Sequence, residues 1–142
     1  MSFNVLIVDD SNAMRSVVKK IINISGFKMD QCYEAANGKE ALELLKESWV
    51  DIILSDLNMP EMNGLELLAN LKKDDLLKEI PVIIITTDGS EQRRNLVSDL
   101  GANGFIKKPF VPEEVRTILY DVLGLTEGDY ATDQSADDGV DF

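Results

Sequence analysis

Short apolar runs alternate with amphipathic stretches along residues 1–125, and this alternation limits the folds open to the chain. The runs NVLIV at 4–8, which is apolar after Asn4, and VIII at 82–85 are too short for helices, which is typical of strands buried on both faces. The stretches between such runs have apolar residues at helical spacing, as at Met14, Val18 and Ile22. The pattern therefore predicts strands and helices in strict alternation.

Five strands and five helices result from this pattern. Strands are predicted at 4–8, 29–35, 51–55, 82–86 and 104–107, and helices at 11–25, 39–47, 64–72, 91–100 and 112–123. Such an order is typical of the α/β class, in which a doubly wound, five-stranded parallel sheet has five helices on its two faces. The crossover connections should be right-handed.

The charge of the chain is concentrated at its C-terminal end. Lys and Arg number 14 and Asp and Glu number 26, so the net charge is −12, and residues 126–142 supply −6 of it with six acidic and no basic residues. We predict one domain at 1–125 and an acidic, disordered tail at 126–142. The tail could compete for a basic surface of the domain, but its composition alone favours a solvated segment.

Composition excludes several classes of function. The chain has no histidine, so it cannot use a histidine nucleophile, a histidine triad or a His-ligated zinc site. Its acidic charge argues against nucleic-acid binding, and no apolar run approaches the roughly 18 residues of a membrane span. A single cysteine, Cys32, allows no internal disulfide, and we expect it to be a small buried apolar residue of a cytoplasmic protein.

Polar side chains follow four of the predicted strands at the points where those strands end. Asp9 and Asp10 follow the first strand, Asp56 the third, Thr86 ends the fourth, and Lys108 follows the fifth. Each has an ordinary explanation by itself, as a helix cap, a loop residue or a surface charge. Because the carboxyl ends of parallel strands share one edge of the sheet, we expect the five side chains to converge.

Three converging carboxylates would repel each other unless a hard cation lay between them. Mg²⁺ is the expected cofactor, because it takes oxygen ligands and leaves positions open for water and phosphate. A carboxylate beside this ion is a plausible nucleophile toward a phosphoryl group, with a lysine and a hydroxyl to hold the phosphoryl oxygens.

Four segments resemble response-regulator receiver domains of the stand-alone, CheY-like type, with a flavodoxin-like fold. These segments are LIVDDS at 6–11, DIILSDLNMPEMNG at 51–64, PVIIITT at 81–87 and GANGFIKKPF at 101–110. The likeness covers residues 3–124, with the motifs in the expected order and at fitting spacing.

The resemblance implies a role for each residue of the predicted site. Asp56 would be the phosphoacceptor, with Asp10 and the backbone carbonyl of Asn58 as further metal ligands and Asp9 acting on the metal through water. Lys108, which precedes a proline in a bond that is usually cis in the family, would contact the phosphoryl group.

Other positions match residues that transmit or tune the signal in this family. Thr86 and Phe105 match the switch pair, and Asn58 and Asp88 match two variable positions that tune the phosphoryl lifetime. The resemblance also implies a histidine kinase as phosphodonor and a protein target on the face formed by the fourth helix, fifth strand and fifth helix. Since no output domain follows, we expect a signalling protein that is not an enzyme beyond its own phosphorylation and dephosphorylation.

Three other interpretations compete with this one. A haloacid-dehalogenase-type phosphatase needs two acidic residues spaced by one on the first strand, whereas Asp9 and Asp10 are adjacent. A flavodoxin-like electron carrier needs a hydroxyl-rich phosphate loop there, which DDSNAMR does not supply. A pseudo-receiver that binds a partner without phosphorylation would not need the complete set of acidic residues, Thr86 and Lys108.

Overall fold

A computed structural model describes residues 2–125, and they form an α/β fold with five strands and five helices. The strands are β1 (Phe3–Val8), β2 (Met29–Ala35), β3 (Ile52–Ser55), β4 (Val82–Thr86) and β5 (Gly104–Lys107). The helices are α1 (Asn12–Ile24), α2 (Gly38–Leu45), α3 (Gly64–Lys73), α4 (Glu91–Asp99) and α5 (Pro112–Leu123). The predicted acidic tail at 126–142 lies outside the described residues.

All five strands pair in parallel in the order β2-β1-β3-β4-β5. The chain moves outward from β1 to β2 and then returns past β1 to β3, so the order of connection reverses between β1 and β3. In doubly wound sheets this reversal opens a crevice at the carboxyl ends of the strands, and ligands bind there. The predicted fold class is confirmed.

The sheet separates two hydrophobic layers. Inward residues of α2, α3 and α4 pack on one face, with Ala41, Leu68 and Val97 among them. Residues of α1 and α5 pack on the other face, with Ile22 and Leu119 fully buried. Because strand side chains alternate between faces, neighbouring residues of one strand belong to different layers.

The helix starts agree with the predicted capping chemistry to within a residue or two. Ser11 was predicted as the first residue of a helix, but it is the N-cap of α1, and its hydroxyl accepts a hydrogen bond from the backbone N–H of Met14. Asn37 caps α2 and Asn63 caps α3 in the same manner. Such side chains replace the backbone acceptors that the first turn of a helix lacks.

The burial of Cys32 and the start of the third strand also differ from the prediction. Cys32 is only partly buried, because β2 is an edge strand whose single neighbour is β1. Cys32 still packs against the layer around α1 and α5, and this burial raises the pKa of its thiol. The third strand begins at Ile52 rather than at 51, because Ile52 is the first residue in register with β1, whereas the Asp51 carboxylate accepts hydrogen bonds from the Asn4 backbone and the Trp49 indole. Among residues 2–125, no helix combines the length and apolarity that a membrane crossing needs.

Gly64 fixes the loop between β3 and α3 against the strand that precedes it. Its N–H donates to the carbonyl of Leu57 over 2.9 Å. A Cβ atom on Gly64 would lie 2.3 Å from the backbone oxygen of Asp56 and 2.9 Å from the Cα of Leu57. Since both obstacles are backbone atoms, a side chain here would displace the turn that carries Asp56.

We therefore predict that Gly64→Ala lowers the free energy of unfolding by about 1–3 kcal/mol, the usual cost of overpacking. Gly38→Ala is the comparison variant, because Gly38 also begins a helix but the three atoms nearest to its added Cβ all belong to the Met62 side chain, the first at 2.7 Å. It should cost less stability than Gly64→Ala, since a side chain can shift more readily than a turn of the backbone. Urea denaturation measures both, and equal losses in the two variants would contradict the argument.

Candidate functional site

Four neighbouring strands bring the predicted site residues to one edge of the sheet. Asp9 follows β1, Asp56 follows β3, Thr86 ends β4 and Lys108 follows β5. The backbone continues the parallel pairing past the strand ends, since the Asp56 N–H donates to the Val8 carbonyl over 2.9 Å. The position of each side chain is therefore set by the register of the central strands.

Three carboxylates form a cluster at this edge. Asp9, Asp10 and Asp56 each offer one carboxylate oxygen, and these oxygens lie within 4.8 Å of one another. Asp9 is buried and accepts a hydrogen bond from the Ser11 N–H over 2.9 Å, whereas Asp10 is exposed. The cluster thus has a fixed inner side and an open outer side.

The environment of Asp56 acts on the protonation of its carboxyl. Burial raises the pKa of its carboxyl, and the negative charge of Asp9 adds to that effect. The Lys108 ammonium and the backbone N–H of Leu57, which donates over 2.8 Å, oppose the rise and favour the ionised form. A cation placed beside Asp56 would therefore relieve an existing electrostatic cost.

Lys108 supplies one positive charge from the opposite side of the cluster. Its Nζ lies 3.3 Å from Asp9 Oδ2 and 3.8 Å from Asp56 Oδ2, and its side chain is only 13% exposed. The backbone N–H of Lys108 donates to the Thr86 carbonyl over 2.8 Å, and the peptide bond between Lys108 and Pro109 is cis. One ammonium cannot balance three carboxylates, so the site keeps an excess of negative charge.

The donor set fits a magnesium ion. Mg²⁺ prefers carboxylate and carbonyl oxygens, uses few from the protein and keeps the rest for water or phosphate. The three carboxylate oxygens meet the first requirement, and the exposure of Asp10 meets the second. Asn58, which was predicted to add a backbone carbonyl, is exposed two residues after Asp56 in the same loop.

Thr86 lies fully buried beside the cluster at the end of β4. Its hydroxyl oxygen accepts a hydrogen bond from the Asp88 N–H over 3.3 Å. Asp88 is exposed. The hydrogen bond from the Ser90 N–H lowers the pKa of its carboxyl, and the neighbouring Arg93 guanidinium lowers it further. Asp88 thus anchors the start of α4, where its carboxylate pairs with Arg93.

Phe105 is partly buried on the face of the sheet that α4 covers. The guanidinium carbon of Arg94 lies 4.5 Å from the centre of its ring, a distance typical of a cation–π contact. Ile106 is buried in the opposite layer and Lys107 is exposed, as the strand period predicts. The aromatic ring therefore connects the sheet to the surface formed by α4, β5 and α5.

The structure brings Asp9, Asp10, Asp56 and Lys108 together and places Thr86 next to them. Asn58 joins them through a backbone hydrogen bond to the Asp56 carboxylate. Asp88 contacts Thr86 and Arg93, and Phe105 contacts Arg94. The sequence analysis missed Arg15, whose guanidinium donates to the backbone carbonyl of Asp9. Its position three residues after Asn12 in the first turn of α1 is a weak signal, since most arginines at such positions are solvated.

Comparisons with known proteins agree with this geometry. The sequence model of the response regulator receiver domain matches residues 5–120. A chemotaxis protein CheY homolog of Campylobacter jejuni is 38% identical over 129 residues, which are 90% of this chain and 98% of that protein.

Solved structures have the same fold. The chemotaxis response regulator CheY4 of Vibrio cholerae has a TM-score of 0.76 at 33% identity, with 87% of this chain and 100% of that chain covered. The receiver domain of the sensor histidine kinase PA1611 of Pseudomonas aeruginosa has a TM-score of 0.76 at 22% identity, with 87% of this chain and 99% of that chain covered. The structure of that domain contains a magnesium ion in the active site cleft. With 116 of its 142 residues matched by the family model (5–120), this chain belongs to the response regulator receiver domain family of two-component signalling proteins.

Proposed function

We propose that this protein accepts a phosphoryl group on Asp56 from a histidine kinase, with Mg²⁺ bound beside it, and passes the signal to a protein partner. The observation that carries this proposal is the position of the Asp56 carboxylate between two further carboxylates and the Lys108 ammonium. Members of the family are signalling proteins rather than classical enzymes, and catalysis of its own phosphorylation is part of the proposal.

The transfer itself needs little beyond alignment and charge. A carboxylate oxygen of Asp56 attacks the phosphorus of the donor's phosphohistidine, the phosphorus–nitrogen bond breaks, and its electron pair stays on the imidazole. The Lys108 ammonium, already 3.8 Å from Asp56, would contact one phosphoryl oxygen, and the Thr86 hydroxyl another. Phosphoryl transfer is accelerated mainly by such positioning and neutralisation of oxygens.

The metal would be held by Asp10, Asp56 and the backbone carbonyl of Asn58, with Asp9 acting through water. When bound, Mg²⁺ neutralises the carboxylates and one phosphoryl oxygen. The excess negative charge of the cluster and the exposure of Asp10 support this assignment. Asn58 and Asp88 flank the site, where they would control water access and so the lifetime of the aspartyl-phosphate.

Output would depend on the surface between α4, β5 and α5. A shallow pocket there is lined by Arg94, Phe105, Lys107, Thr117 and Ile118, among others. If Thr86 moves toward the phosphoryl group, Phe105 can turn inward, and this movement would release Arg94 from its ring. The protein partner would recognise the altered surface, since an equilibrium shifts only when its two states differ in their contacts.

The remaining parts of the proposal concern partners and location. Several relatives are chemotaxis proteins, which supports a chemotaxis-type kinase as the phosphodonor. The net charge of −12 supports a function that involves neither nucleic acid nor a membrane. The single cysteine cannot form an internal disulfide, which supports a cytoplasmic location.

Replacement of Asp56 by Asn should abolish phosphorylation. With Mg²⁺ and acetyl phosphate, the wild type should gain one phosphoryl group by intact-protein mass spectrometry, whereas Asp56→Asn should gain none because an amide is a poor nucleophile. Asp75→Asn, an exposed carboxylate paired with Lys78, is the control and should be labelled like the wild type. Labelling of the Asp56 variant at the wild-type level would refute the assignment.

Without metal, Asp56→Asn should be more stable than the wild type at neutral pH. Burial raises the pKa of the Asp56 carboxyl in the folded state, so folding disfavours the ionised form. The resulting loss of stability is complete above the folded-state pKa. It disappears as the pH falls through that pKa to below the unfolded-state value. Mg²⁺ should reverse the ranking, since a ligand at ten times its Kd stabilises by about 1.4 kcal/mol and the variant binds it weakly.

Thermal unfolding at pH 7 in chelator and in Mg²⁺ tests this ranking. A lower Tm for Asp56→Asn than for the wild type in chelator would contradict the electrostatic argument. An equal gain from Mg²⁺ in both proteins would show that the ion binds elsewhere.

Thr86→Ala should separate phosphorylation from signalling. The variant keeps Asp56 and Lys108 and should still accept phosphate, but it lacks the hydroxyl that would move toward the phosphoryl group. Binding of the output partner should therefore be weak, and the NMR signals of the Phe105 ring should stay nearly unchanged on addition of beryllofluoride and Mg²⁺. Thr86→Ser keeps the hydroxyl and should respond like the wild type. A full response in Thr86→Ala would exclude this coupling.

A further inference from the structure

Arg15 connects three elements behind the carboxylate cluster. Its guanidinium donates to the backbone carbonyl of Asp9 at the end of β1, to Asn12 Oδ1 in the first turn of α1 over 3.1 Å, and to Glu34 Oε1 on β2 over 2.9 Å. The Arg15 side chain is only 14% exposed. The planar group of an arginine can satisfy several acceptors in fixed directions, which a lysine cannot do.

The carbonyl that Arg15 holds belongs to the peptide between Asp9 and Asp10. The orientation of this peptide affects where both carboxylates point, because the peptide joins the two Cα atoms that carry these side chains. Asp9 has a second restraint in the hydrogen bond from the Ser11 N–H, but Asp10 is exposed and depends on the backbone for its position. Arg15 is therefore placed to control the geometry of the open side of the cluster.

A positive charge this close to the cluster has two opposing effects on a cation. It repels the ion, but it also holds the ligands in place. The Glu34 carboxylate pairs with Arg15 at 2.9 Å and compensates its charge, which weakens the repulsion. Mg²⁺ demands nearly ideal octahedral geometry, so a loosened ligand set is costly. The effect on geometry should therefore exceed the repulsion.

We propose that Arg15 is a positioning residue of the metal site, that Glu34 anchors it, and that the two act as one unit on Mg²⁺ affinity. This inference rests on the proposed function, because it assumes that the carboxylate cluster binds Mg²⁺. It assigns a role to β2, an edge strand that contributes no side chain to the carboxylate cluster itself.

Isothermal titration with MgCl₂ tests the role of Arg15. Loss of a group that orients a metal ligand typically weakens metal binding by about 10- to 100-fold, and we expect Arg15→Ala to weaken Mg²⁺ binding by about tenfold or more. Arg15→Lys keeps the charge but not the three-way hydrogen bonding, so it should also bind more weakly than the wild type. Glu34→Ala should give a smaller loss, and the double variant Arg15→Ala/Glu34→Ala should bind no more weakly than Arg15→Ala alone.

Val18→Ala is the control for general destabilisation. Val18 is buried on the same helix but packs into the layer around α1 and α5, so this variant should lower the Tm without changing Mg²⁺ affinity. Circular dichroism verifies that each variant is folded before titration.

Each outcome decides between the alternatives. If the wild type binds Mg²⁺ and Arg15→Lys binds it equally well, charge rather than geometry is the contribution of Arg15, and the inference is overturned. Tighter binding by Arg15→Ala would overturn it as well, because repulsion would then exceed positioning. Additive losses in the double variant would disprove the coupling to Glu34. A wild type that neither binds Mg²⁺ nor accepts phosphate would overturn the proposed function, and this inference with it.

Discussion

Repulsion among three carboxylates at one edge of the sheet is the constraint on which the site depends. Asp9, Asp10 and Asp56 would not remain within 4.8 Å of one another in a flexible chain. They stay together because each follows a strand whose position is fixed by parallel pairing and by buried apolar residues on both faces. Packing energy of the sheet thus maintains an arrangement that electrostatics alone would disperse, and Lys108 relieves only part of the repulsion.

The same sheet provides a short route from the site to the surface. Thr86 is paired with Lys107 in the ladder between β4 and β5, and Lys108 returns a hydrogen bond to the Thr86 carbonyl. Phe105 lies two residues before Lys107, with its ring against Arg94 of α4. A movement of the buried Thr86 side chain would therefore take place beside β5, the strand that carries the Phe105 ring. Restraints such as the one from Arg15 act on the opposite side of the cluster, so ligand geometry and output are supported by different elements.

Much of this could be predicted from the sequence because the signals are local. Continuous apolar runs such as 82–85 indicated buried parallel strands, and an alternating order of helices and strands then determined which residues share an edge. The ends of elements were less certain, since Ser11 and Asp51 are adjacent to their elements but use their side chains as caps or acceptors. Cys32 was misjudged because burial of a strand residue depends on whether the strand is central or at an edge.

The sequence by itself determined the fold class and the residue types available for chemistry, which do not include histidine. Only the tertiary structure decided which side chains meet. Lys108 contacts Asp9 across 99 positions of sequence, Arg15 reaches Glu34 across 19, and Arg94 covers Phe105 from another element. The physical reason is that backbone periodicity is set by neighbouring residues, whereas the distance between two charged groups depends on how separate elements pack and on the rotamers that this packing permits.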